Sequence, residues 1–274
     1  MILSRNTRDI AQHFRDVIRS RFGLKVGETF FRLPIGIPVH IDEPWMREAI
    51  IRLLPESEGV FLDIGVNLGQ TLMSFRSADN IRRYVGFEPN PHCVAAVDRI
   101  VTLNEIPSIT LIPLACTDSF GVSQLYHYED SKFDSSASMI TNFRPDRRPL
   151  RESIIAKGAA LECLEAVSVD RIGIVKIDVE GFEADVLEAI EPALHRDRPL
   201  ILIEVLPIRN DPQRMVAGQR IRTVLDRLGY VSRRVGKTKD GRFDGFSEIA
   251  EPGSQTEVVQ SDYLLACKSS GLVN

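Results

Sequence analysis

The stretch Val60-Phe61-Leu62-Asp63-Ile64-Gly65-Val66-Asn67-Leu68-Gly69 decides the fold. An apolar run with an acid near its end breaks at Gly65, passes a second glycine and enters a helical pattern at Gln70. That grammar predicts a strand over residues 60–64, a tight turn and a helix over 70–77. It recurs downstream. Short β-branched runs occupy 84–88, 109–114, 174–179 and 200–205, and helical patterns fill 93–103, 183–194 and 215–228. The last helix should stop at Gly229, because glycine takes the left-handed conformation that closes a helix. Such alternation predicts an α/β fold with a mostly parallel central sheet and helices on both faces. Two further runs, 230–235 and 262–267, flank a polar loop and predict an antiparallel, hairpin-like ending. Residues 117–150 break the pattern, being polar and rich in Asp, Ser and Arg. They are expected to form a loop excursion over the sheet or a small insertion, and long irregular segments of this kind are usually functional or mobile.

The 274 residues are 43% hydrophobic and 26% charged, the balance of a folded globular chain with a substantial core. A formal net charge of -4 provides no global field to hold a polyanion, so nucleic acid is not expected as a partner. Cys93, Cys116, Cys163 and Cys267 stand singly, without a C-x-x-C pair, and fit a reducing cytoplasmic home. Arginines and aspartates run through the first 21 residues, which lack the apolar core of a signal peptide. Ile10, Phe14, Val17 and Ile18 instead fall on one face of an amphipathic helix. No uncharged apolar run approaches the roughly 20 residues of a transmembrane helix. The continuous alternation from residue 60 to 205 predicts one catalytic domain over 51–274, preceded by a helical extension over 1–50.

In an open α/β sheet, ligands bind beyond the carboxyl ends of the strands, so the residues closing each strand carry the chemistry. At the first turn, Gly65 lets the backbone pass close to a ligand and Gly69 lets the helix start pack nearby. Asn67 replaces the middle glycine of the dinucleotide fingerprint, so an NAD-dependent oxidoreductase is a poor fit. The acid Asp63 suits a ligand with a positive centre and an amino group, as in S-adenosylmethionine. Glu88 closes the second strand, where a carboxylate can accept hydrogen bonds from both ribose hydroxyls of a nucleoside. After the third strand, Asp118 is a candidate for reading an adenine amino group, or an ordinary turn residue. Asp178, Glu180 and Glu183 cluster around Gly181, where they could orient a hydroxyl, take its proton or hold a cation. Asp178 and Glu180 share one side if the strand persists that far, and Glu180 and Glu183 share a face if the helix begins by then. Glu204 stands in an otherwise apolar strand, where burial requires a partner or a raised pKa, and is a candidate base or orienting residue. The five histidines form no metal-spaced set, so no metal site is expected.

The strings VFLDIGVNLGQT, YVGFEPNP, VSVDRIGIVKIDVEGFEADVLEAI and LILIEV together resemble the FkbM family of S-adenosylmethionine-dependent methyltransferases. They span about residues 60–206 in the family's order, and KIDVEGFE is the distinctive part. The resemblance implies a class I, Rossmann-like methyltransferase fold. It also implies methyl transfer to a hydroxyl of a sugar, glycan or polyketide-like secondary metabolite. Carried across, Asp63, Gly65, Asn67 and Gly69 line the methionine side of the cofactor and Glu88 holds the ribose. Asp178, Glu180 and Glu183 sit at the reacting end, and the Ser135-Ser136 pair touches cofactor or acceptor. Members often carry histidine just after the fifth-strand acid, where this chain has Leu206. That leaves Glu204, Asp178, Glu180 or a histidine such as His127 as the base, and keeps open a domain that binds cofactor without catalysis.

Overall fold

A computed structural model describes residues 23–268 apart from Asp42 and Pro145. The amphipathic face of Ile10, Phe14, Val17 and Ile18 lies outside the described residues. A short hairpin, β1 (Leu24–Val26) and β2 (Thr29–Phe31), comes first, followed by α1 (Pro44–Leu53), which runs across position 50. The described part of the extension is therefore a hairpin and one helix rather than helix throughout. Next come β3 (Val60–Ile64), α2 (Gln70–Arg76), β4 (Tyr84–Phe87), α3 (Pro91–Leu103) and β5 (Ile109–Ile112). The expected insertion, residues 117–150, holds the strand β7 (Gly121–His127), which joins the flanking β6 (Ala115–Thr117) and β8 (Arg151–Ala159) in a small sheet of order β6-β8-β7. The chain returns through α4 (Ala160–Ala166), β9 (Ile172–Ile177), α5 (Glu183–Ala189), α6 (Glu191–Asp197), β10 (Leu200–Glu204) and α7 (Pro212–Leu228). It finishes with β11 (Tyr230–Lys237), β12 (Phe243–Ile249) and β13 (Asp262–Cys267).

The main sheet has the order β12-β11-β13-β10-β9-β3-β4-β5. Its five parallel strands, counted along the chain, lie 3-2-1-4-5, the doubly wound Rossmann-like arrangement. β13 inserts antiparallel between β10 and β11, as the antiparallel ending anticipated. The polar loop before it holds an unforeseen strand, β12, on the sheet edge. The helix expected over 183–194 is two helices. Pro192 lacks the N–H that would continue the ladder, so the chain restarts as α6.

β3 is buried at all five positions, so both faces of the sheet are covered. Successive side chains alternate between them. Leu62, Ile64, Val175 and Ile177 face the core beneath α4 to α7, whereas Phe61, Tyr84, Ile174 and Leu202 face the core beneath α1 and α2. The β1–β2 hairpin packs Val26 and Phe31 against Met73 of α2 and Ile100 of α3. Side-chain caps set the helix starts: Asn90 accepts from the His92 N–H at 3.0 Å, and Asp211 from Gln213 at 2.9 Å. Gly229, at φ 68°, ends α7 as anticipated.

Candidate active site

From β3 the chain winds one way to β4 and β5, and from β9 the other way to β10. The crevice outside the carboxyl ends of β3 and β9 is therefore the switch point of the sheet. An open cleft of about 730 Å³ lies there. At its floor the two strand ends touch: the Asp178 N–H donates to the Ile64 carbonyl at 3.0 Å. A Cβ on Gly65 would fall 1.9 Å from the Asp178 carbonyl oxygen, so this approach admits only glycine. Gly65, Asn67, Glu88, Asp178 and Glu180 all line the cleft. Phe87, Leu114, Leu125, Met139 and Phe182 supply apolar wall.

Glu88 is clamped from both sides. Its Oε1 accepts the Asn90 N–H and its Oε2 the Asn67 N–H, each at 2.8 Å. Asn67 presents that N–H from a left-handed conformation, φ 49°. Burial pushes the Glu88 carboxyl up to about 7, and the two N–H groups pull in the opposite direction. Asn90 also donates to the Lys132 carbonyl at 2.9 Å, tying the insertion to the cleft wall.

Asp63 and Gly69 do not line the cleft. Asp63 shares its face of β3 with Phe61, is wholly buried, and accepts a hydrogen bond from the Tyr84 hydroxyl. Lys176 stands beside it, with Nζ 3.7 Å from Asp63 Oδ1, 3.2 Å from Asp178 Oδ2 and 3.1 Å from the Gly65 carbonyl. Burial raises the Asp63 carboxyl to about 6 against the pull of Lys176. Burial opposes the Lys176 charge too, but Asp178, Asp63 and Glu43 outweigh it and hold the ammonium above its ordinary range. Gly69 takes φ 81° and packs toward Val97, serving the helix start alone.

The acidic turn is neither strand nor helix. β9 ends at Ile177 and α5 begins at Glu183, so neither of the two face-sharing conditions holds. Glu180 sits at φ 52° and Gly181 at φ 101°. Glu180 lines the cleft, and burial raises its carboxyl to about 8, with Asp178 adding and Arg144 opposing. Glu183 turns away to a second pocket, where its Oε1 accepts the Gly181 N–H at 2.8 Å and so fastens the turn. Glu204 faces a third, smaller pocket with Glu43, Lys176, Asp178 and Asp262. It shares the α1 side with Leu202 because positions two apart share a face. Burial, then Asp178 and Asp262, push its carboxyl well above the usual range.

Asp118 is exposed at the end of β6, bonded to the Ser119 hydroxyl and away from the cleft. Ser135 lines the cleft, whereas Ser136 is buried behind it, its Oγ donating to Asp134 Oδ1 at 2.6 Å. Asp134 gathers the N–H groups of Tyr128 and Ser136 as well, which closes the insertion's loop beside the cleft. His127 is buried between Ser153 and Arg151 and does not reach the cleft; burial, then Arg151, hold its pKa down. Cys116 is a buried wall residue whose thiol burial pushes up. Sequence reasoning missed Lys176, Asp134, Arg144 and Glu43. Only Lys176 carried a visible signal, a lone cation in an apolar strand between two acids.

Residues 63–232, more than half of the chain, match the Methyltransferase FkbM domain. The chain belongs to the FkbM methyltransferase family. The four-string resemblance is thereby borne out, and membership implies a cofactor of the S-adenosylmethionine type. Comparison with curated proteins gives no match. Among solved structures, the FkbM chain resembles an FkbM methyltransferase from Methylobacillus flagellatus, at 13% identity and TM-score 0.47 over 76% of this chain. It spans 43% of that protein's length. It also resembles a putative O-methyltransferase from Klebsiella pneumoniae, at 12% identity and TM-score 0.47, covering 94% of this chain and 88% of that one. An O-methyltransferase from Bacillus cereus in complex with SAH matches at 12% identity and TM-score 0.48, covering 84% of each.

Proposed function

We propose that the protein is an S-adenosylmethionine-dependent O-methyltransferase acting on a hydroxyl of a sugar, glycan or secondary metabolite. The observation that carries this reading is the cleft at the switch point, lined together by Gly65, Asn67, Glu88, Asp178 and Glu180. Each Glu88 oxygen uses one lone pair on a backbone N–H and keeps another for a ribose hydroxyl. The apolar wall suits an adenine, and the carboxylates suit a cationic ligand and a neutral acceptor better than a polyanion. When bound, the cofactor supplies a methyl group already activated by its sulfonium. Asp178 or Glu180 would direct the acceptor hydroxyl toward that methyl group and take its proton. Holding the acceptor in line contributes much of the acceleration.

α1 packs on the sheet and the β1–β2 hairpin packs on α2 and α3, so we read residues 24–268 as one catalytic unit. No helix among the described residues is long and apolar enough to cross a membrane. We assign the protein to the cytoplasm, for which the buried thiols of Cys93, Cys116 and Cys163 are suited.

Calorimetry with S-adenosylhomocysteine tests the reading. Binding is expected, and Glu88→Ala should weaken it by about 1–3 kcal/mol, the scale of lost charge-assisted hydrogen bonds. No binding, or unchanged affinity in the variant, sinks the assignment. Asp178→Asn and Glu180→Gln should retain cofactor binding and slow transfer across a panel of sugar and glycan acceptors. Binding without transfer to any acceptor identifies a cofactor-binding module instead.

A further inference from the structure

Arg144 lies in the insertion, outside every string that carries the family resemblance. Its Nη2 donates to Glu180 Oε2 at 2.7 Å. Glu180 stands at the cleft in a left-handed conformation that a non-glycine residue keeps only when its surroundings over-determine it. The insertion supplies those surroundings. Ser138 Oγ donates to the Glu180 carbonyl at 2.7 Å, and Phe143 covers Gly181 so closely that a Cβ there would come within 2.3 Å of the ring. The ring in turn lies 5.6 Å from the Arg144 guanidinium and 5.1 Å from that of Arg214. Arg214, on α7, donates to the Phe143 carbonyl at 3.2 Å and the Pro207 carbonyl at 3.0 Å. Arg144 is thus braced between α7 and the acidic turn.

We propose that Arg144 is a positioning residue: it fixes the direction of the Glu180 carboxylate and favours its anion against burial and the neighbouring acids, with Oε1 left to receive a proton. Among the described residues no donor is bonded to that second oxygen. The inference rests on the methyl-transfer reading and adds a residue to it. The charges acting on Glu180 are Asp178 from the end of β9, Glu183 from α5, Asp134 from the insertion and Glu204 from β10, all of one sign. Arg144 is a cation that opposes them.

The test is a ¹³C-carboxyl NMR titration of Glu180 in the full chain, with the signal assigned by Glu180→Gln. Arg144→Gln should raise the Glu180 midpoint by about one pH unit, the scale of losing an adjacent opposite charge. Arg144→Lys, which keeps the charge, should leave the midpoint closer to the parent value. An unmoved midpoint in Arg144→Gln, or equal midpoints in the two variants, overturns the proposal. S-adenosylhomocysteine binding, measured on the same samples, separates the two readings. A moved midpoint without binding supports the coupling and refutes methyl transfer; binding with an unmoved midpoint refutes the role of Arg144 alone.

Discussion

Lys176 and Asp63 face each other in register on neighbouring parallel strands and form a buried ion pair, Nζ to Oδ1 3.7 Å, beneath the cleft floor. Removing one member of a buried pair leaves the other charge uncompensated. We expect Lys176→Met to destabilise the fold by about 3–5 kcal/mol in urea unfolding. Combining it with Asp63→Asn should cost less than the two changes summed. A loss within the scatter of surface substitutions would show that the pair is dispensable.

Two glycines of the first turn should behave differently. Both sit at positive φ, but a Cβ on Gly65 would meet the Asp178 carbonyl, whereas on Gly69 the nearest atom is 3.5 Å away. Gly69→Ala pays conformational strain alone, about 1–2 kcal/mol. Gly65→Ala must also part β3 from the end of β9, and we expect it to be the more damaging by thermal unfolding. Equal losses would mean the strand ends are not held together there.

Cofactor affinity should depend on Glu88 ionisation. Its carboxyl is raised to about 7, and accepting two ribose hydroxyls requires the anion. S-adenosylhomocysteine affinity should therefore fall as pH drops through about 7, approaching tenfold per pH unit once the carboxyl is mostly protonated. Calorimetry in buffers of different ionisation heat should register proton release on binding below that midpoint. Glu88→Gln should flatten this dependence. A parent protein with flat affinity across the range would exclude Glu88 from the ribose.

The ligand-free protein should lose stability in mild alkali. Glu43, Glu88 and Glu183 are raised from 4.5 to about 7 and Glu180 to about 8, burial being the first cause in each. The folded chain then holds more protons than the unfolded chain between those limits. The stabilising contribution is complete below 4.5 and is lost as pH rises through 7 to 8. Urea unfolding at about pH 6 and pH 8.5 should show the fall. Glu204→Gln, which removes one crowded acid from the pocket beside Asp262, should raise stability at the higher pH. No gain there would mean that Glu204 has found a compensating partner.

Much of the frame was legible because its signals are local. An apolar run of five, a glycine turn and a 3.6-residue pattern locate β3 and α2, and the same signs locate β4, α3, β10 and β13. β12 and the small sheet of the insertion escaped because polar, half-exposed strands such as β7 show weak periodicity. The break between α5 and α6 was marked by Pro192, a signal present but unweighted.

The site divides along the same line. The acids at the strand ends, and the glycines that let the chain turn there, follow from residue type and spacing, and the family follows from their order. Which acids share a space does not. Alternation in the strands sends Asp63 and Glu204 to the α1 side, the left-handed turn sends Glu180 to the cleft and Glu183 behind it, and Arg144 arrives from 36 residues away. The sequence by itself determined the parallel strands, the turns that close them and the chemical types gathered at their ends, because hydrophobic period and turn chemistry are properties of neighbours along the chain. Only the tertiary structure decided which carboxylates meet a cation and which line the cleft, because ion pairs and burial depend on contacts between segments that the sequence does not order.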